Sequence, residues 1–190
     1  IYVKVRYINN KDESKSYDRT FSAFQLYDGN AMLSAVESSI VPLIIDDIRD
    51  QVLLSAMGSP DARQIDGLGG ATMLTSKIAI VTPSKRQGID VDYLFAQVWL
   101  DEAIVDTTPS CGNMLAGVGP FALERGIIKT TENETHVNIF NVNTQSKIEA
   151  IVQTPGGMVT YAGNQHIDGV PGTGAPIFLN FTHVMGSKCG

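Results

Sequence analysis

Between Met114 and Leu123 the chain places small and apolar side chains on every face a helix would present. A helix that is apolar all round is usually buried, so the rest of the chain must wrap around it. Gly117 and Gly119 would let neighbouring strands approach closely, and Pro120 should kink the helix or begin a new turn. The wrapping elements read as short strands punctuated by Gly, Pro, Asn or Asp. They are predicted at Ile78–Val81, Tyr93–Leu100, Ala103–Val105, His136–Asn141, Lys147–Gln153, Met158–Tyr161 and Ile177–Phe181. A second helix is predicted from a cap at Asp46-Asp47 through Met57, with Ile48, Val52 and Leu53 near one face and Gly58 as its stop. Tyr2 to Ile8 reads as a first strand and Lys11 to Arg19 as a charged turn, while residues 20–45 carry little pattern. The class is α+β, dominated by strands.

With 190 residues, 43% of them hydrophobic, the chain is long enough for one well-buried core, and a single domain over 1–190 is expected. A formal net charge of −6 and a pI near 4.9, with no basic stripe, argue against nucleic acid as a partner. No apolar run approaches the ~18 residues that span a bilayer, and no signal-peptide pattern appears. No membrane association is therefore expected. Cys111 and Cys189 make a poor disulfide framework and fit no zinc spacing, which points to a reduced, cytoplasmic setting. His136, His166 and His183 are scattered, so no metal is expected. Gly69-Gly70 lacks the following Lys-Ser/Thr of a phosphate loop and reads as a tight bend. Asp61 and Asp66 around Arg63 read as a local ion pair, and Asp90 and Asp92 as turn residues before a strand.

Two groups suit proton transfer. Lys77 follows Thr75-Ser76, and Cys111 precedes Gly112-Asn113 where a loop enters the apolar helix. Free amide N–H groups at such a junction favour negative charge, which suits a thiolate or a bound carboxylate. On the residues alone, a buried core cysteine and a solvated lysine stand beside this reading as equal alternatives.

Longer blocks carry a resemblance. Met57-Gly58-Ser59-Pro60-Asp61-Ala62-Arg63-Gln64-Ile65-Asp66-Gly67-Leu68-Gly69-Gly70, Leu74-Thr75-Ser76-Lys77-Ile78, Val91-Asp92-Tyr93-Leu94-Phe95-Ala96-Gln97-Val98 and Cys111-Gly112-Asn113-Met114-Leu115-Ala116-Gly117-Val118-Gly119-Pro120 are the main ones. With Asn141-Val142-Asn143-Thr144, Thr154-Pro155-Gly156-Gly157 and Asp168-Gly169-Val170-Pro171-Gly172-Thr173, they resemble the 2-methylaconitate cis–trans isomerase and 4-oxalomesaconate tautomerase family, the PrpF-like proteins. The likeness covers 46–190 and leaves 1–45 as an atypical N-terminal segment. It implies one lobe of the diaminopimelate epimerase-like fold, a curved and mostly antiparallel sheet around a central helix.

The resemblance also implies an isomerase chemistry without metal or organic cofactor, in which a proton moves between carbons of an unsaturated polycarboxylate. Lys77 and Cys111 would be its catalytic groups, approaching one another across a shared pocket, and Gly112, Asn113, Ser76 and Thr75 its substrate-binding groups. Two departures oppose a simple transfer of activity. The family's opening Met-Arg-Gly-Gly-Thr-Ser-Lys-Gly loop has no counterpart in residues 1–45, and the family's second lobe has none in this sequence. The other reading is a noncatalytic lobe that binds small anions, or that assembles with a second copy or a complementary chain over an exposed apolar face.

Overall fold

The computed structural model describes residues 46–182 in full, and of residues 2–8, 16–22, 27–28, 31–32 and 41–45 the secondary structure alone. His183, Gly186-Ser187-Lys188 and Cys189 lie outside the described residues. The chain forms two compact units: Ile1–Ile80 with Phe95–Pro109, and Val81–Leu94 with Ser110–Gly190.

In the first unit, β1 (Tyr2–Ile8) pairs antiparallel with β2 (Ser16–Ser22), and β3 (Tyr27–Asp28) with β4 (Ala31–Met32). Ser16 to Arg19, expected as part of a turn, are ladder residues opposite Ile8 to Val5, because cross-strand pairing overrides the strand-poor composition. Helix α1 runs Val41–Met57 and so begins before the expected cap. Pro42 suits a first turn, where a missing N–H costs nothing. Asp46 lies inside the helix and holds Arg49 at 2.8 Å instead of capping.

Leu53 and Met57, one helical turn apart, enter the core of this unit with Ile78, Ala96 and Val98. Ile48 is 40% exposed, since five residues of helix turn it well away from the Leu53 row. The helix stops where expected. Gly58 takes φ +83, and the N–H groups of Ser59 and Gly58 return to the carbonyls of Leu54 and Ser55. Leu68 and Gly69 then donate to the carbonyls of Ala56 and Met57, so the loop after the helix also closes its end.

Strands β5 (Lys77–Pro83) and β6 (Val91–Val98) follow, and β7 (Val105–Asp106) pairs antiparallel with the end of β6. Sequence placed β6 two residues late and β7 slightly early.

In the second unit, β8 (Asn133–Asn141) and β9 (Ser146–Thr154) form a long antiparallel hairpin, and β10 (Ile177–Phe181) adds antiparallel to β9. The start of β6 pairs parallel with β8, so the mostly antiparallel arrangement contains one parallel ladder. Met158–Tyr161, expected as a strand, is not one. Gly156 and Gly157 take positive φ in the Pro155–Gly157 turn, after which Thr160 N and Tyr161 O make isolated bonds to Gln153 O and Ala175 N.

The apolar helix is two short helices, α2 (Gly112–Ala116) and α3 (Val118–Glu124). Pro120 has no N–H for the carbonyl four residues back, and the break falls at Gly117. Leu115, Val118, Ala122 and Leu123 are buried, as the all-apolar pattern requires. Gly119 sits so close to β8 and β9 that a Cβ there would be 2.9 Å from Val152 Cγ2 and 3.2 Å from Ala150 Cβ.

Candidate active site

Lys77 opens β5 in the first unit and is half-buried, while its neighbour Ile78 points into the core. Alternation along a strand therefore turns the lysine to the opposite face. The residue before it is closely held. Ser76 is fully buried, its carbonyl accepts from Val98 N at 3.0 Å and from Gln97 Nε2 at 2.8 Å, and its hydroxyl accepts from Gln64 Nε2 at 2.7 Å. The Ser76 hydroxyl thus faces the interior. Thr75 is exposed, with its hydroxyl on the Thr72 carbonyl at 3.1 Å.

Gln64 is the centre of this arrangement. It is 2% exposed, donates also to Ser59 Oγ at 3.1 Å, and accepts from Ala71 N at 3.1 Å. Ser59 passes the chain on to Trp99 O at 2.6 Å. Gln64 and Ala71 both take positive φ, +48 and +56. Such conformations cost on the order of 1 kcal/mol each for residues with a Cβ and persist only where surroundings over-determine them. Here the two strained residues are bonded to one another. Gly69 is forced by the same packing, since a Cβ would fall 2.0 Å from Gln64 Oε1.

Cys111, in the second unit, caps the start of α2 in extended conformation (φ −135, ψ 112), and Leu115 N donates to its carbonyl. It is partly exposed and in no disulfide, not sealed in the core. Gly112 and Asn113 are exposed at the helix start, where N–H groups lack intrahelical partners. Gly112 has open space around it, with nothing within 4 Å of an added Cβ.

Two strand residues hold this loop from beneath. Tyr93, fully buried, donates from its hydroxyl to the Cys111 carbonyl at 3.2 Å. Burial, and then negative charge on Cys111, push the Tyr93 phenol far above its ordinary range. Asn141, its register partner on β8, donates from Nδ2 to Ser110 Oγ at 2.9 Å, and its Oδ1 accepts from the N–H groups of Asn143 and Thr144. A cavity of about 550 Å³ opens beside α2, lined by Ala116, Ile167, Val170, Thr173, Ile177 and Phe178 among others.

Other groups singled out in the sequence are accounted for locally. Arg63 pairs with Asp61 at 3.3 Å, and the N–H and side chain of Arg63 hold the Asp61 carboxyl below its usual range. Asp90 Oδ2 accepts from Asn138 N and Nδ2, and Asp92 lies within β6, bonded to Ser84 and paired with Arg86. His136 lies on the exposed side of β8 against Glu149. Among the described residues no group of three His, Cys, Asp or Glu is arranged to hold a metal, and no helix is long and apolar enough to cross a membrane.

Sequence reasoning missed Gln64, Tyr93 and Asn141. Tyr93 and Asn141 carried a signal as residues of predicted strands, and Gln64 only as a member of the block Met57 to Gly70.

Comparison with known proteins places these residues in context. A family model described as PrpF protein matches residues 34–190. The chain is 61% identical over 142 residues to a (4E)-oxalomesaconate Delta-isomerase of a Novosphingobium species and 57% identical over 143 residues to a 4-oxalomesaconate tautomerase of Pseudomonas putida. In each case the match takes in 75% of this chain and 40% of the relative, so the chain spans about two fifths of their length. A crystal structure of methylitaconate-delta-isomerase superimposes with a TM-score of 0.68 at 49% identity, over 70% of this chain and 35% of that one. The match of family model, sequence and fold over the segments that carry Lys77 and Cys111 establishes that this chain belongs to the PrpF protein family.

Proposed function

We propose that this chain carries the proton-transfer groups of an isomerase that shifts a double bond, or interconverts tautomers, in an unsaturated polycarboxylate. The observation that carries the reading is the identity of 48–61% to proteins named for isomerising oxalomesaconate and 3-methylitaconate, over a family match that contains both Lys77 and Cys111. An allylic proton shift needs a base at one carbon and an acid at the other. Lys77 is the principal base or acid, and Cys111 the second proton carrier or a group that orients the substrate. Gly112 and Asn113 bind a carboxylate through backbone N–H and side-chain amide, fixed donors for charge that develops on an enolate. Thr75 adds a hydroxyl. Ser76 serves from beneath, through the backbone that it fixes. The open surroundings of Gly112 support this assignment, because the fold itself does not demand a glycine there.

The test is deuterium incorporation and double-bond migration followed by NMR, with 4-oxalomesaconate, 3-methylitaconate and 2-methylaconitate offered to the full-length protein. Lys77→Ala and Cys111→Ser should each lower turnover by roughly 10²-fold or more with folding preserved. Inertness of the parent toward all three acids, or parental rates in both variants, would refute the proposal.

A further inference from the structure

The loop from Gly58 to Ser76 contains a side chain whose burial and bonding the proposed chemistry leaves unexplained. Gln64 sits in a segment, Asp61 to Asp66, that is otherwise mostly exposed, yet its carboxamide is enclosed and both ends are bonded. Its Nε2 donates to Ser59 and Ser76, and its Oε1 accepts from Ala71 N. Every one of these partners belongs to the loop that delivers the chain to Lys77. The bond to Ser76 is the shortest of the three, and Ser76 is the residue whose backbone sets where β5 begins.

A loop that needed only to be stable would not require two residues with a Cβ at positive φ around a buried amide. Such an arrangement defines one geometry and resists others, because each displacement leaves a buried donor or acceptor unpaired. We infer that Gln64 is a positioning residue for Lys77, acting through Ser76 to hold the amine in the geometry that proton transfer requires. The inference rests on the proposed role of Lys77 and extends it to a residue that does not touch substrate. Misplacing a reacting group by about 1 Å lowers turnover by as much as ~10²-fold while binding is little changed.

The measurement is a double-mutant cycle in the full-length protein, read as kcat and KM for whichever of the three acids the parent turns over. Gln64→Met keeps volume and removes all three bonds, and Ser76→Ala removes the acceptor alone. Each should lower kcat about tenfold with KM within about twofold of the parent, and the double variant should be no slower than the slower single one. A role in stability alone would lower the melting temperature and leave kcat of the folded fraction at the parental value, which would overturn the inference. Losses that multiply in the double variant would also overturn it, since the two residues would then act separately. Should Gln64→Met fail to fold, Ser76→Ala decides alone, and a parental kcat there sinks the idea. Parental turnover in Lys77→Ala removes this inference, and parental turnover in Cys111→Ser as well removes the proposed function with it. A lost Lys77→Ala activity with an unaffected Ser76→Ala removes only the inference.

Discussion

Lys77 follows a loop without a ladder of its own, organised around a side chain that bonds to other side chains and to the loop's own backbone, whereas Cys111 follows a loop laid against regular strands. In the first case the anchor is a buried amide with partners at sequence distances of 5, 7 and 12 residues. In the second, Tyr93 and Asn141 come from paired strands, and their anchors are one hydroxyl and one amide reaching up from a ladder that would exist without them. The difference lies in where precision comes from. A sheet supplies position through backbone pairing that many sequences satisfy, so its anchoring side chains add local adjustment. An irregular loop has no such scaffold, and one polar side chain must organise it.

The contrast predicts unequal responses to loss of a glycine. Gly69→Ala drives a Cβ onto the Gln64 carboxamide and must open the hub, which should cost about 2–4 kcal/mol as buried polar groups lose partners. Gly112→Ala, at the start of α2, meets nothing within 4 Å. It should change stability by less than about 0.5 kcal/mol, because alanine suits a helix better than glycine. Its turnover should nevertheless fall, if a carboxylate approaches that N–H. Denaturant melts and kcat/KM separate the two variants. An unstable Gly112→Ala, or a Gly69→Ala as stable as the parent, would erase the distinction drawn between the two regions.

A smaller effect is expected beneath Cys111. Tyr93→Phe removes one hydrogen bond to a carbonyl that α2 already uses, so it should cost about 1 kcal/mol. The phenol also fixes a pH response. Its pKa is raised in the folded chain above the ordinary 10.0, so the unfolded chain loses this proton first. The stability it contributes is therefore present below pH 10 and is lost as pH rises beyond it. Alkaline titration of tyrosinate absorbance should show a late-ionising class that shrinks in Tyr93→Phe. Titration of every tyrosine near 10 would contradict the buried placement.

The same two regions differ in how far sequence reveals them. The strands of the second unit follow from period and β-branched content, and the buried helix from its lack of any polar face. Gly58 marks the end of α1 because only a residue tolerant of positive φ closes a helix that way. Lys77 and Cys111 stand out as residues able to move protons. Gln64 does not, since Asp-Ala-Arg-Gln-Ile-Asp reads as a surface turn and nothing local says that the fourth side chain turns inward. Nor does the local sequence show that the Ser76 hydroxyl accepts from Gln64. The start of α1 was hidden by its apolar first turn, which lacks the acidic residues that usually mark one. Local pattern reports local pairing, while hubs are made by contacts that only the folded chain brings together.

The smallest effect should come from polar groups that neither region uses for positioning. On the exposed side of β8 and β9, His136 Nδ1 lies 2.8 Å from Glu149 Oε1, and Asn180 Nδ2 on β10 donates to the other Glu149 oxygen at 2.8 Å. The bond to Glu149 raises the His136 pKa above 6.5, and the bonds from Asn180 and His136 lower that of Glu149 below 4.5. A raised histidine contributes fully below 6.5 and loses that contribution as pH climbs through its folded pKa. A lowered carboxyl contributes above 4.5 and loses it as pH falls through its own. Both conditions hold between pH 4.5 and 6.5, where the pair is fully charged. The melting temperature of the parent relative to His136→Gln should therefore peak in that window and decline on both sides, by an amount that salt reduces because the pair is exposed. A difference that stays flat from pH 4.5 to 9 would mean that this surface pair adds nothing, and that regular pairing alone holds the outer strands.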